Sequence, residues 1–245
     1  MSLTPLPRAS LSEGVFEQLR DRILADQMTH GETLPSERVL AEQLGVNRGA
    51  VREGLKRLQQ AQLVRVRHGG ATEVLDWRRS AGLELLPHLL VRSDGQLHTA
   101  AARGIVALRQ ALAPSVAAAA ARRAGGDTAD RLDEALRALQ AATDAAQRQE
   151  QALRYWSVLV DGSNNLGFRL AFNALEQTYR PIWALLRPVL DAEFRDTATL
   201  EALNAAVRDG RSADAQRLAC AHIEIGSKAM EALLDAHDAA DQGAH

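Results

Sequence analysis

The chain has little of what staples or catalyses. It holds one cysteine in 245 residues. A lone thiol closes no internal disulfide, so a reducing compartment is expected. That residue, Cys220, stands among small and apolar neighbours in "RLACAHIEIG" and is expected in the core. Aromatics make up only 4%. With alanine abundant, this favours helices packed through small side chains over a β-sandwich. The opening "MSLTPLPRAS" lacks the apolar core of a signal peptide. No uninterrupted apolar run approaches the ~18 residues that cross a bilayer. A soluble, cytoplasmic protein with no membrane partner is expected. Also absent are GxSxG, HExxH, P-loop, paired-carboxylate and Cys/His arrangements, so neither an enzyme nor a cofactor is expected. No repeat of 20–50 residues is found.

What is present is a local excess of positive charge. The net charge is -2. Yet residues 47–69 carry Arg48, Arg52, Lys56, Arg57, Arg65 and Arg67 against one acid, Glu53. The remainder must be correspondingly acidic, and this asymmetry is the first functional clue.

Local signals organise the segment around that stretch. Ser10 and Glu13 fit a capping box opening a helix that runs to about Met28. Ser36 caps a short second helix that ends near Leu44, with Gly45 suited to the turn beyond it. Asn47 caps a third helix over residues 48–60. Leu63, Val64 and Val66 then change period to a short strand, "HGG" turns, and residues 72–75 return. Three helices and a hairpin make a winged helix-turn-helix. On the third helix Val51, Leu55 and Leu58 share one face, while Arg48, Arg52 and Lys56 form a neighbouring stripe. Gly49 carries no side chain to hold the backbone off a surface. Such a helix fits the major groove of double-stranded DNA, where arginine reads guanine with both arms.

The stretch "GETLPSERVLAEQLGVNRGAVREGLKRLQQAQLVRVRHGG" resembles the DNA-binding domain of the GntR family of bacterial transcription regulators. The likeness covers roughly residues 10–75. It implies base or phosphate contacts for Arg38, Arg48 and Arg52, with Asn47 and Gly49 beside them. It brings His68 and Gly69 of the wing tip towards the minor groove. Lys56 completes the expected DNA-binding set. Three departures bear on the operator sequence: Asn47 for the common serine, Gly49-Ala50 for x-Pro, and a His-Gly-Gly-Ala-Thr wing.

Beyond Trp77 the pattern is helical almost throughout, interrupted at Pro114, at Gly162-Ser163-Asn164-Asn165, and at Pro181 and Pro188. The expected fold is mainly α. A winged helix-turn-helix (residues 1–76) joins an all-α helical-bundle effector domain (77–235), followed by a flexible tail (236–245). The second part resembles the FadR subfamily, whose helical FCD-type domain senses a ligand and whose members are dimers. The resemblance implies a homodimer on a palindromic operator. Many FCD domains hold a metal, but the positions matching its ligands are Leu153, Ser157 and Leu200 or Glu201. Only His222 remains, so no metal is expected. Phe168, Phe172, Leu175, Tyr179, Ile182, Trp183 and Leu186 form a broad apolar face that serves as core and can line a pocket. The polar ligand-binding candidates are Arg103, Arg109, Tyr155, Asn164, Tyr179 and His222, with Asn173 and Arg180 behind them. A buried arginine favours an anion, so the expected effector is a carboxylate or an acyl-CoA. A constitutive DNA-binding protein whose helical domain only dimerises is the alternative.

Overall fold

A computed structural model describes residues 9–67, 70–91, 95–123 and 126–243. The chain divides into two compact units, Met1–Leu97 and His98–His245.

In the first unit α1 (Ala9–Leu24), α2 (Glu37–Leu44) and α3 (Arg48–Gln60) precede an antiparallel hairpin of β1 (Val64–Val66) and β2 (Thr72–Val74). The caps fall where local chemistry put them. The Ser36 hydroxyl accepts from the Val39 amide, and Asn47 Oδ1 accepts from the Ala50 amide at 2.9 Å. Gly45 turns the chain between the helices at φ 65°, a conformation that glycine adopts without strain. Ser10, expected as a cap, lies inside α1, which starts one residue earlier. Val15, Phe16, Leu19 and Ile23 of α1 pack on Val51, Leu55 and Leu58 of α3. The two helices run so close that a Cβ on Gly54 would stand 2.7 Å from Val15 Cγ1.

The first unit extends past the boundary expected after Asp76. Short helices α4 (Trp77–Ser80) and α5 (Leu86–Leu90), with a 3-10 turn at Leu83–Leu85 between them, follow the hairpin. Leu85 is buried in the N-terminal core, and Trp77, Ala81 and Leu89 pack against it. Burial of this apolar set, rather than the end of the wing, sets the division.

The second unit contains α6 (Thr99–Arg123), α7 (Gly126–Gln140), α8 (Ala145–Gly162), α9 (Leu166–Tyr179), α10 (Trp183–Arg195), α11 (Thr197–Arg208) and α12 (Ser212–Gly243). Helix α6 lies along α12. Ala113, Ala117, Ala120 and Ala121 face the same core as Ala215 and Ala219. Leu132 and Leu139 of α7, Leu159 of α8, and Leu203 and Val207 of α11 complete that core.

Three local expectations differ here. Pro114 sits within an unbroken α6, because the burial of this helix outweighs one lost backbone donor. Pro188 likewise lies inside α10, whereas Pro181 does break the chain in a 3-10 turn at Arg180–Ile182. Cys220 is exposed, since its position on α12 points away from the core that Ala219 and Ile223 join. The segment set apart as a tail is helical to Gly243. By length and composition α6 could also cross a bilayer, but 56% of its most apolar window is buried inside the fold.

Candidate nucleic-acid interface and effector cavity

Helix α3 buries Ala50, Val51, Gly54, Leu55 and Leu58 and exposes Arg48, Arg52 and Lys56 one turn apart. The expected stripe therefore exists. Gly49 is exposed at its start, and Arg38 is exposed on α2. Local acids hold most of these cations. Glu37 grips Arg52 with both oxygens, Glu42 takes Arg38 at 2.7 Å, and Glu53 takes Lys56 at 2.7 Å. Arg48 has no ion pair among the described residues. Arg57, the fourth cation of the helix, turns inward instead. It pairs with Glu13 at 2.9 Å and lies 4.4 Å over the Phe16 ring. It braces α3 on α1 and does not belong to the outer face.

In the wing, Arg65 stands directly opposite Glu73 across the strands. The Glu73 side chain is only 6% exposed and accepts from Arg65 at 2.9 Å and from Arg67 at 2.6 and 2.7 Å. Hydrogen bonds from Arg65 and Arg67 hold its carboxyl below the ordinary glutamate value of 4.5. Glu73 was missed. Its signal was an acid on the return strand, facing the basic first strand. His68 and Gly69, expected at the wing tip, lie outside the described residues.

In the second unit a cavity of about 80 Å³ opens between α6, α8, α9, α10 and α12. Its wall is mostly apolar, with Trp156, Phe172, Trp183 and Leu186 among the larger groups. One ion pair crosses it. Arg109 of α6 donates to Glu193 of α10, and its other terminal nitrogen reaches the Ile223 carbonyl at 3.5 Å. Their side chains are 12% and 1% exposed. Burial opposes the Arg109 charge, and Glu193 more than compensates, leaving the guanidinium firmly protonated. Two polar atoms at this wall, Tyr179 Oη and Glu193 Oε2, are buried with no hydrogen-bond partner among the described residues. Burial pushes the Tyr179 phenol up, so it stays neutral. Gly226 of α12 makes room for the acid, since a Cβ there would meet Glu193 Oε2 at 2.1 Å.

Of the expected ligand candidates, Arg109 and Tyr179 come together in this cavity. The other four are engaged elsewhere. Arg103 pairs with Asp235 and Asp238 at 2.7 and 2.8 Å. Tyr155 donates to Asn204 Oδ1 at 2.7 Å in the core. Asn164 lies in the turn just after α8 at φ 45°, with its carbonyl accepting from Arg123. His222 faces Asp196 at 3.2 Å and lies beside Trp156. Arg180 pairs with Glu176, and Asn173 is absent from the lining. From the apolar face, Phe172, Leu175, Tyr179, Trp183 and Leu186 line the cavity, while Phe168 and Ile182 pack on the core outside it. Glu193 was missed. Its signal was an acid one turn after Leu190 on an otherwise apolar helix face.

The profile of "Bacterial regulatory proteins, gntR family" matches residues 11–74, and that of the FCD domain matches residues 104–225. The HTH-type transcriptional regulator Mce2R of Mycobacterium tuberculosis is 40% identical over 96% of this chain and 97% of its own length. The chain belongs to the GntR family. A second relative in that organism, the HTH-type transcriptional regulator Rv0494, is 33% identical over 92% of both chains. A GntR family member from Pseudomonas syringae pv. tomato str. DC3000 has a similar solved structure, with 21% identity, coverage of 96% and 91%, and a TM-score of 0.49. As a GntR protein with an FCD domain, this chain is a DNA-binding transcriptional regulator and not an enzyme. The stripe on α3 falls in its GntR segment, and Arg109, Tyr179 and Glu193 fall in its FCD segment.

Proposed function

We propose that this GntR regulator acts in the cytoplasm as a ligand-responsive homodimer on a palindromic operator. Arg48, Arg52 and Lys56 meet the major groove, Arg38 meets the flanking backbone, and the wing approaches alongside. Asn47 and Gly49 shape the entry to α3. The observation that carries ligand response is the charged pair Arg109–Glu193 in an apolar cavity, with a Tyr179 hydroxyl that has no partner among the described residues. Buried polar groups left open in an apolar pocket suit a bound small molecule. Leu166 and Leu170, one turn apart and exposed on α9, support a face for the second copy.

The sequence pointed to an organic acid or an acyl-CoA, on the premise of a buried arginine. That arginine is already paired, which changes the ligand chemistry that the site favours.

The test begins with an operator selected from random duplexes, which should contain an inverted repeat. Fluorescence anisotropy of the protein on that duplex then follows a panel of acyl-CoAs, carboxylates and neutral analogues. Release or tightening by any of them supports ligand response. An operator without an inverted repeat removes the dimeric reading. No response across the panel favours the constitutive alternative, in which the helical domain only dimerises.

A further inference from the structure

We propose that the effector is a neutral, mostly apolar molecule ending in a hydroxyl or carboxamide, held by Glu193, Tyr179 and Arg109. This rests on the reading of the cavity as the effector site.

Arg109 and Glu193 neutralise each other inside the fold. The other ionised group on the wall, Glu176, is held by Arg180 at 3.1 Å. Among the described residues, no cation on the wall is free to receive an anion. A carboxylate entering here would have to displace Glu193 from Arg109 and leave a buried acid without its counter-charge, which is strongly unfavourable. An ammonium group would face Arg109 in the same confined space.

The open valences then specify the head group. Among the described residues, Glu193 Oε2 is 1% exposed with its residue and lacks a donor, and the Tyr179 phenol lacks a partner. A hydroxyl donates one proton and accepts with its lone pairs. It can give its proton to Glu193 and accept from Tyr179. A carboxamide does the same with two separate atoms. Gln149 is not an additional handle, because its amide is taken by Arg187 and by the Trp183 carbonyl. The rest of the wall, with Leu112, Val116, Trp156 and Phe172, supplies contact for an apolar body. A volume of about 80 Å³ corresponds to roughly three waters at ~30 Å³ each, so the fitting probe is short.

The experiment compares 1-hexanol, hexanamide and hexanoate at neutral pH on the full-length protein. Trp156 and Trp183 line the cavity, so intrinsic fluorescence reports occupancy, with calorimetry as a second readout. The neutral pair should bind saturably and at least about tenfold more tightly than hexanoate. Tyr179→Phe deletes a hydroxyl that has no partner among the described residues, so the fold should persist. The affinity for hexanol should fall about five- to tenfold, the loss of one hydrogen bond. Glu193→Gln leaves Arg109 uncompensated and should reverse the order, favouring hexanoate. If that variant does not fold, Tyr179→Phe still decides.

Tighter binding of hexanoate to the wild type overturns the neutral head group and leaves the cavity as effector site. Equal hexanol affinity in wild type and Tyr179→Phe also overturns the inference. No saturable binding by any of the three removes the effector reading and the inference together.

Discussion

Glu37 on α2 holds the Arg52 guanidinium on α3 in a two-pronged ion pair, at 3.2 Å to Nε and 2.9 Å to a terminal nitrogen. The pair spans the two helices of the helix-turn-helix and fixes the fork of Arg52 before any DNA arrives. Arg52→Ala should lower operator affinity by about five- to a hundredfold, the worth of one bidentate contact at ~1–3 kcal/mol. Glu37→Gln removes an acid from the same surface. It should strengthen binding to non-operator duplex and steepen the salt dependence by about one ion. Anisotropy titrations on operator and scrambled duplexes over a salt series measure both. Unchanged operator affinity in Arg52→Ala would take Arg52 out of the interface.

The wing should report its own acid sensitivity. Hydrogen bonds from Arg65 and Arg67 hold the Glu73 carboxyl below 4.5 in the folded state. A depressed carboxylate contributes stability above its unfolded value and loses it as pH falls through the folded one. Stability should therefore decline below about pH 4.5, with Glu13 and Glu37, also depressed by their arginines, adding to the decline. Denaturant melts between pH 3 and 7 should show a smaller acid-side loss in Glu73→Gln than in the wild type. An identical profile would show that Glu73 does not hold the two arginines in solution.

Gly54 sets the distance between α1 and α3. Its substitution by alanine brings a Cβ within 2.7 Å of Val15 Cγ1 and 3.3 Å of the Phe16 nitrogen. Overpacking of this kind costs about 1–3 kcal/mol. Gly54→Ala should lower the unfolding free energy by that amount and weaken operator binding, because the recognition helix shifts with it. Wild-type stability would mean that α1 and α3 have room to separate.

Tyr155 separates structure from ligand binding. Its hydroxyl donates to Asn204, whose amide reaches Asp133 at 2.9 Å, and Arg208 pairs with the same acid. Tyr155→Phe leaves Asn204 Oδ1 buried without its donor, which should cost about 1–3 kcal/mol. The response of DNA binding to effector should remain unchanged. A lost response with intact stability would return Tyr155 to the ligand site.

These residues also show which parts of the molecule were legible in the sequence. Ser36, Gly45 and Asn47 act through bonds to residues within three or four positions, so their roles can be read from local order. The stripe of Arg48, Arg52 and Lys56 follows from helical periodicity alone. The pairing of Arg52 with Glu37 did not, because it needs the angle between two helices. The same limit divides the ligand candidates. Arg109, Tyr155, Tyr179 and His222 all lie on helices rich in apolar residues, and the sequence gives no ground to choose among them. Glu193 meets Arg109 only because α6 and α10 both pack on α12, while Asn204 engages Tyr155 and Asp196 engages His222. Pro114 misled because local strain was weighed without the burial of the surrounding helix.

The alanines shared by α6 and α12 have a mechanical consequence. A methyl group has no rotamer to change, so a seam of Ala113, Ala117 and Ala120 against Ala215 and Ala219 has no soft side chains to absorb a displacement. Both helices also wall the cavity, through Arg109 and Ile223. With the alanine seam as its weld, the pair would carry a push from that end along its length like a stiff double rod.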